Sequence, residues 1–260
     1  MGTAQMQGLL WGAGSEDWAE LAEPAQIPFF EAALDAIGID GGTRLLDAGC
    51  GAGLALALAQ ERGATVTGLD ASSGLLAIAR ERLPDADLRE GDLEELPFAD
   101  DSFDAVTAFN SVQYTSDPTA ALREIKRVAV PGAPVAVVTW GTAEQCEMRS
   151  ILGAVGSLLP PPPPGAAGPF ALAAAGALER LIEGAGLTPE LAIDVPTPYA
   201  HADVATATRA HLSSGPARRA IETAGFEPAR AAIAQACETA RADDGSVTFA
   251  NVFKVVIARA

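Results

Sequence analysis

The segment Leu45-Leu46-Asp47-Ala48-Gly49-Cys50-Gly51-Ala52-Gly53 sets one carboxylate ahead of three alternating glycines. A glycine-rich turn of this kind lets backbone approach a ligand closely and leaves the free amides of a following helix beside it. The dinucleotide fingerprint GxGxxG fails in both registers, because its closing position is Leu54 counted from Gly49 and Leu56 counted from Gly51. NAD-dependent reduction is disfavoured accordingly. Asp47 suits a cationic or amine-bearing ligand better than a pyrophosphate. The two imidazoles of the chain, His201 and His211, are the side chains best suited to general base work near neutral pH. His211 precedes Ser213-Ser214-Gly215 and also reads as a residue facing a helix C-terminus, where the dipole favours it. Tyr114 is a competing candidate.

The elements that must position these residues are legible as short apolar runs separated by helix-length segments. Strands are expected at Arg44–Ala48, 65–69, 87–89, 103–109 and Pro134–Trp140, and helices at Leu54–Glu61, 73–83 and Pro118–Val128, the last capped by Asp117. Strands alternating with helices mean a parallel α/β sheet with right-handed crossovers. Ahead of it, Ser15 is expected to cap a helix carrying Glu16 and Asp17 in its first turn, and a second helix runs from Pro24 to Gly38. Trp11 and Trp18 flank the first of these, either as core anchors or as a lid. Later expectations are a helix over 144–158, an extended proline run at 160–164, a helix over 171–183, a strand at 187–195, helices between His201 and Ala242, and one long strand over 247–258.

Composition bounds the function classes. In 260 residues, hydrophobic types make up 49% and charged types 20%, enough for a sizeable core. A formal charge of −17 without a clustered basic patch argues against a nucleic-acid partner. Cys50, Cys146 and Cys237 are widely spaced and form no CxxC pair, so neither a disulfide framework nor a metal site is expected. Without a leader-like start or an apolar run near ~18 residues, the expectation is a cytoplasmic protein with no membrane partner. Fifteen arginines against two lysines fit a GC-rich bacterial genome.

The ordered set of motifs resembles the class I S-adenosylmethionine-dependent methyltransferases, in particular the small-molecule branch similar to ubiquinone and menaquinone biosynthesis methyltransferases. It covers residues 43–140: Asp47 with Gly49, Gly51 and Gly53, then Gly68-Leu69-Asp70-Ala71-Ser72, then Gly91-Asp92-Leu93-Glu94-Glu95-Leu96-Pro97-Phe98, then Phe103-Asp104-Ala105-Val106 leading into Asn110. The resemblance implies a doubly wound, mostly parallel, seven-stranded Rossmann-like sheet with helical cap insertions. One domain would span 1–260: N-terminal helices or lid at 1–40, a cofactor-binding core at 43–140, a cap with late core elements at 141–242 and a final strand at 245–259.

The same resemblance implies S-adenosylmethionine as cofactor. Asp47 and the three glycines would surround its aminoacyl part, and Asp70 the ribose hydroxyls, with Ala71 beside it. Asp92 would take the adenine amino group, Leu93 and Leu75 would flank the ring, and the Asn110 carbonyl would receive the ammonium. Methyl transfer from a sulfonium is an in-line displacement governed by proximity, with a base needed chiefly for a hydroxyl or acidic carbon acceptor; His201, His211 and Tyr114 are the candidates. The stretches 158–170 and 196–212, rich in alanine, leucine and proline, suit a mostly apolar small-molecule acceptor. A monomer or homodimer fits. Two other readings use the same cleft: an enzyme exploiting the sulfonium without transferring methyl, as a cyclase or eliminase would, and a non-catalytic sensor.

Overall fold

The computed structural model describes residues 3–161 and 168–260. Five parallel strands are present, β1 (Arg44–Ala48), β2 (Thr65–Asp70), β3 (Asp87–Glu90), β4 (Ala105–Phe109) and β5 (Pro134–Trp140); helices separate all consecutive pairs except β3 and β4, which turns alone connect. Further along the chain come β6 (Thr188–Pro196), β7 (Tyr199–His201), β8 (Val247–Phe249) and β9 (Val252–Arg259). The large sheet has seven strands in the order β3-β2-β1-β4-β5-β9-β6, with β9 antiparallel to both neighbours. This is the doubly wound Rossmann-like sheet that the motifs imply. The strand order reverses between β1 and β4, and in an open α/β sheet the crevice outside the carboxyl ends at such a point is where ligands bind.

The helices are α1 (Ala4–Gly12), α2 (Ser15–Asp17), α3 (Ile27–Ile37), α4 (Leu54–Glu61), α5 (Ser73–Arg82), α6 (Pro118–Val128), α7 (Arg149–Gly156), α8 (Ala177–Gly184), α9 (Val204–Leu212), α10 (Gly215–Ala224) and α11 (Phe226–Glu238). Two hydrophobic clusters cover the sheet. Phe29, Leu34, Leu56 and Phe253 centre one, and Leu46, Leu122, Ile125 and Leu178 the other. Cys50, Cys146 and Cys237 are buried free thiols within the first.

Several expected boundaries change. The chain opens with α1 ahead of Ser15, and Ser15 is the first residue of α2 rather than its cap. The helix expected from Pro24 is a π-helical stretch Trp18–Ala22 and a 3-10 turn Glu23–Gln26 leading into α3. Pro28, which has no N–H to donate back, sits in the first turn of α3 instead of interrupting a longer helix. The helix expected over 171–183 is cut by Gly176 at φ +69° into a 3-10 turn and α8, and that over 144–158 becomes a 3-10 turn and α7.

The long final strand is two. The Asn251 side chain donates to the Phe249 carbonyl and accepts from the Met148 N–H, while the Ala250 N–H goes to the Glu147 carboxylate. With those backbone groups satisfied locally, β8 turns away to pair with β7 and β9 rejoins the large sheet. The proline run expected at 160–164 and the cap lining at 158–170 fall partly outside the described residues. Among the described residues no helix is long and apolar enough to cross a membrane.

Candidate functional site

The turn after β1 is held by its neighbours. The N–H groups of Gly49 and Cys50 both donate to the Leu69 carbonyl at the end of β2, at 2.7 and 3.0 Å. Gly49 stands at φ +92°, where L residues are strained, and a Cβ there would lie 2.4 Å from Cβ of Ser111. Ser111 in turn donates to the Ala48 carbonyl, so the β1 and β4 ends are laced together directly below the cleft. Above Gly51 there is open space: a Cβ would meet only Glu23 Oε1, at 3.8 Å. Gly53 has another role, capping α4 and letting it approach Ala79 of α5.

Three carboxylates converge on this cleft. Asp70 accepts the Gly51 N–H at 2.9 Å on one oxygen and the Ser72 N–H at 2.8 Å on the other. Each oxygen keeps acceptor capacity for one more donor. Burial pushes its pKa up against those two bonds. Asp47 is 1% exposed and accepts from Thr107 Oγ1 at 2.8 Å. Its burial, together with the charges of Asp70 and Glu23, raises it to about 7. Glu23 has no local sequence signal. It reaches the cleft because Arg82 clasps both its carboxylate and the Ala52 carbonyl, each at 2.8 Å, while the Leu54 N–H bonds its other oxygen. Burial pushes Glu23 upward and Arg82 opposes it.

The cleft, about 780 Å³, is walled by Asp47, Gly49, Gly51, Asp70, Ala71, Leu75, Leu93, Asn110 and Tyr114 among the expected residues. Glu23, Gln7, Gln26 and Phe30 join them from the N-terminal segment. Gly53 and Asp92 are absent from the wall. Asp92 instead accepts the N–H of Glu94 and closes its own turn, the ordinary use of aspartate after glycine, and Leu93 alone of that motif faces the cleft. Asn110 stands at φ +52°, a region in which asparagine is the commonest residue after glycine. Its side-chain oxygen accepts from the Gln113 amide, and its N–H donates to the Val138 carbonyl.

Trp11 and Trp18 meet edge to face at 4.7 Å and both line the cleft. Helix α1, which carries Trp11, is seated on the loop after β2 by its glycines: a Cβ on Gly8 would lie 2.1 Å from the Ala71 carbonyl oxygen, and one on Gly12 3.1 Å from Ser72 Oγ.

A second chamber of about 1290 Å³ adjoins the first and shares Trp11, Trp18, Gln26, Asn110 and Tyr114 with it. Trp140, Met148, Ile151, Leu152, Val155 and Tyr199 extend its walls. Burial raises the Tyr114 hydroxyl to about 12, which leaves it a neutral hydrogen-bonding group and a poor base. His211 lines this chamber and His201 does not. The two rings meet edge to face at 5.2 Å, with His201 on β7 and His211 in the last turn of α9. Burial and the neighbouring His201 push His211 down to about 3, so the dipole contact expected of an imidazolium gives way to a neutral ring.

A methyltransferase-domain family model matches residues 46–137. Over 104 residues the chain is 40% identical to a demethylmenaquinone methyltransferase of Renibacterium salmoninarum, covering 40% of this chain and 44% of that protein. A second demethylmenaquinone methyltransferase, from Beutenbergia cavernae, is 37% identical over 122 residues, covering 47% and 51%. The chain thus spans about half the length of these curated relatives. Among solved structures, the [4+2]-cyclase SpnF superposes with a TM-score of 0.57 at 25% identity, over 89% of this chain and 80% of that one. Sheet order, glycine turn and sequence likeness agree: residues 46–137 match a methyltransferase domain, set in a sheet of the Rossmann-like methyltransferase order.

Proposed function

We propose that the chain transfers a methyl group from S-adenosylmethionine to a mostly apolar small molecule. The observation that carries this reading is the pair of chambers meeting at Asn110 and Tyr114, one acidic and one apolar. The acidic cleft fits the cofactor: Asp70 has acceptor capacity for two ribose hydroxyls, Asp47 and Glu23 supply negative charge for a cation, and Leu75, Ala71 and Leu93 offer flat apolar contact to an adenine. When bound, the cofactor supplies an electrophilic methyl group on a sulfonium. The protein contributes orientation and exclusion of water, to which the Trp11–Trp18 pair, lining both chambers, is suited. The described lining of both chambers comes from one chain, which is compatible with a monomer or a homodimer.

A second reading, in which the bound sulfonium acts as a fixed charge for cyclisation, is supported by the likeness to SpnF over most of the chain. Turnover of an acceptor with stoichiometric S-adenosylhomocysteine supports transfer; turnover without it supports the second reading.

The cofactor reading is tested by thermal shift with S-adenosylmethionine, S-adenosylhomocysteine and NADH at pH 5.5 and pH 8. At about 100 times the dissociation constant, a ligand that binds only the folded state stabilises by ~2.7 kcal/mol, roughly 5–10 °C here. Both S-adenosyl ligands should shift the transition and NADH should not. Asp47, raised to about 7, is protonated and neutral at pH 5.5 and charged at pH 8. The ligand-free protein therefore loses stability as pH rises from about 4 to about 7, where the folded state holds a proton that the unfolded chain releases. A cationic ligand recovers that loss, so S-adenosylmethionine should bind several-fold more tightly at pH 8. An equal or smaller shift at pH 8 would remove Asp47 from the cation-binding set, and no shift at either pH would remove the cofactor.

A further inference from the structure

The cleft beside the glycine turn gathers three carboxylates and sets no cation against them on its wall. Asp47, Glu23 and Asp70 belong to the described lining, and no Lys, Arg or His accompanies them. Residues 1–2 and 162–167 are Met, Gly, Pro and Ala, so no cationic side chain lies outside the described residues. Arg82 stands behind Glu23 and off the wall, with one nitrogen bonded to both the Glu23 carboxylate and the Ala52 carbonyl.

Backbone donors of the turn are taken as well. The Gly49 and Cys50 N–H groups go to the Leu69 carbonyl, the Gly51 N–H goes to Asp70, and the Leu54 N–H at the start of α4 goes to Glu23. A helix N-terminus beside an arginine is an ordinary place to receive an incoming carboxylate. Here the chain's own Glu23 occupies it. Burial, and after it the charges of Asp70 and Glu23, raise Asp47 to about 7, as expected where acids are gathered without enough counter-charge.

An S-adenosyl ligand carries charges that such a wall can tell apart. Its sulfonium and ammonium are positive and its carboxylate is negative. In a cleft where water screens poorly, three acids without a free cation attract the first two groups and repel the third. Loss of the methyl group leaves a neutral thioether, so the product has one positive charge fewer than the donor.

We propose that this cleft recognises its ligand as an adenosyl sulfonium cation, offers no anchor to the carboxylate, and therefore holds the methyl donor more tightly than the product left after transfer. The inference rests on the cofactor reading above and is independent of the acceptor. Glu23 is the specificity-determining residue, because it occupies both the α4 N-terminus and the Arg82 guanidinium, the two features that would otherwise hold a carboxylate. Release of the product follows from the same charges, since the ligand loses its attraction in the step that makes it product.

The test is calorimetry on the full chain at pH 7, below the ~7.7–8.0 at which an α-amino group gives up its proton. Three ligands that differ by one net charge each are compared: decarboxylated S-adenosylmethionine, S-adenosylmethionine and S-adenosylhomocysteine. The decarboxylated ligand should bind at least as tightly as S-adenosylmethionine, and S-adenosylmethionine at least about fivefold more tightly than S-adenosylhomocysteine. Glu23→Gln should reverse the first comparison. Its amide oxygen can still accept the Leu54 N–H, but Arg82 loses its carboxylate partner and becomes available to the ligand's carboxylate, so the decarboxylated ligand should now bind more weakly than S-adenosylmethionine.

The comparison on the unmutated protein does not depend on that variant folding. A decarboxylated ligand bound more weakly by the unmutated chain, S-adenosylhomocysteine within about fivefold of S-adenosylmethionine, or an unchanged order in a folded Glu23→Gln would each overturn the inference while leaving the cofactor reading in place. Binding by none of the three ligands would overturn the cofactor reading and the inference with it, so the two failures are told apart in one experiment.

Discussion

Asp70→Ala is expected to weaken binding of both S-adenosyl ligands about a hundredfold while leaving the sheet assembled. Hydrogen bonds to a charged partner contribute about 1.5–3 kcal/mol each, and removal of the carboxylate takes away two acceptors for vicinal hydroxyls, a total of at least ~3 kcal/mol. The same oxygens hold the Gly51 and Ser72 N–H groups, so the variant also loosens the glycine turn and the start of α5. Asp70 and Gly51 are only partly buried, so water can replace one acceptor, whereas Ser72 is fully buried and its N–H is left unpaired, a cost to folding of about 1–3 kcal/mol. Asp70→Asn, retaining one carbonyl oxygen, should fall between the two. Asp92→Ala is the contrast: its carboxylate serves the Glu94 N–H, and binding should change by less than about threefold. Calorimetric titration of the three variants decides the matter, and equal losses at 70 and 92 would contradict the placement of the ribose site.

Gly49→Ala should produce the larger loss of stability. The new methyl group would lie 2.4 Å from Cβ of Ser111, well inside contact, and the residue would keep a φ of +92° that costs an L residue about 1–2 kcal/mol. Neither side can move freely, because Gly49 is tied to Leu69 and Ser111 to the Ala48 carbonyl. Strain and overpacking together come to about 2–5 kcal/mol, a fall of roughly 4–20 °C in Tm for a domain of this size. The two causes are separable. Adding Ser111→Gly removes the atom that is struck and should recover the steric share, leaving the backbone share, so the double variant should be more stable than the sum of the singles predicts. Strict additivity would mean that the clash is relieved by movement elsewhere.

The parts of the fold that could be read from sequence are those in which one local pattern has one physical cause. Strands β1, β4 and β5 are buried apolar runs, Asp117 and Pro118 announce α6, and the spacing of Asp47, Gly49 and Asp70 is visible because turn, strand and acid all lie within one βαβ unit. Helix α1 escaped because its two glycines lower helix propensity. They are present for the close approach to Ala71 and Ser72, which only the tertiary structure reveals. Glu23 escaped for a related reason, since its place in the cleft depends on Arg82, 59 residues away. The break at Asn251 was hidden because a strand-like composition continues through it. The order of the histidines was likewise invisible: the turn between β7 and α9 decides which ring meets the cavity, and neither residue's neighbours in sequence carry that information.

The wall of the apolar chamber has an optical consequence. Trp11, Trp18 and Trp140 are the three tryptophans of the chain, and all three border that cavity. Every indole in the molecule thus looks onto the space that a ligand would fill, two of them from the partition with the neighbouring cleft. The near-ultraviolet emission of the protein is a report from one address, and the unlabelled chain carries its own gauge of what enters and in what order.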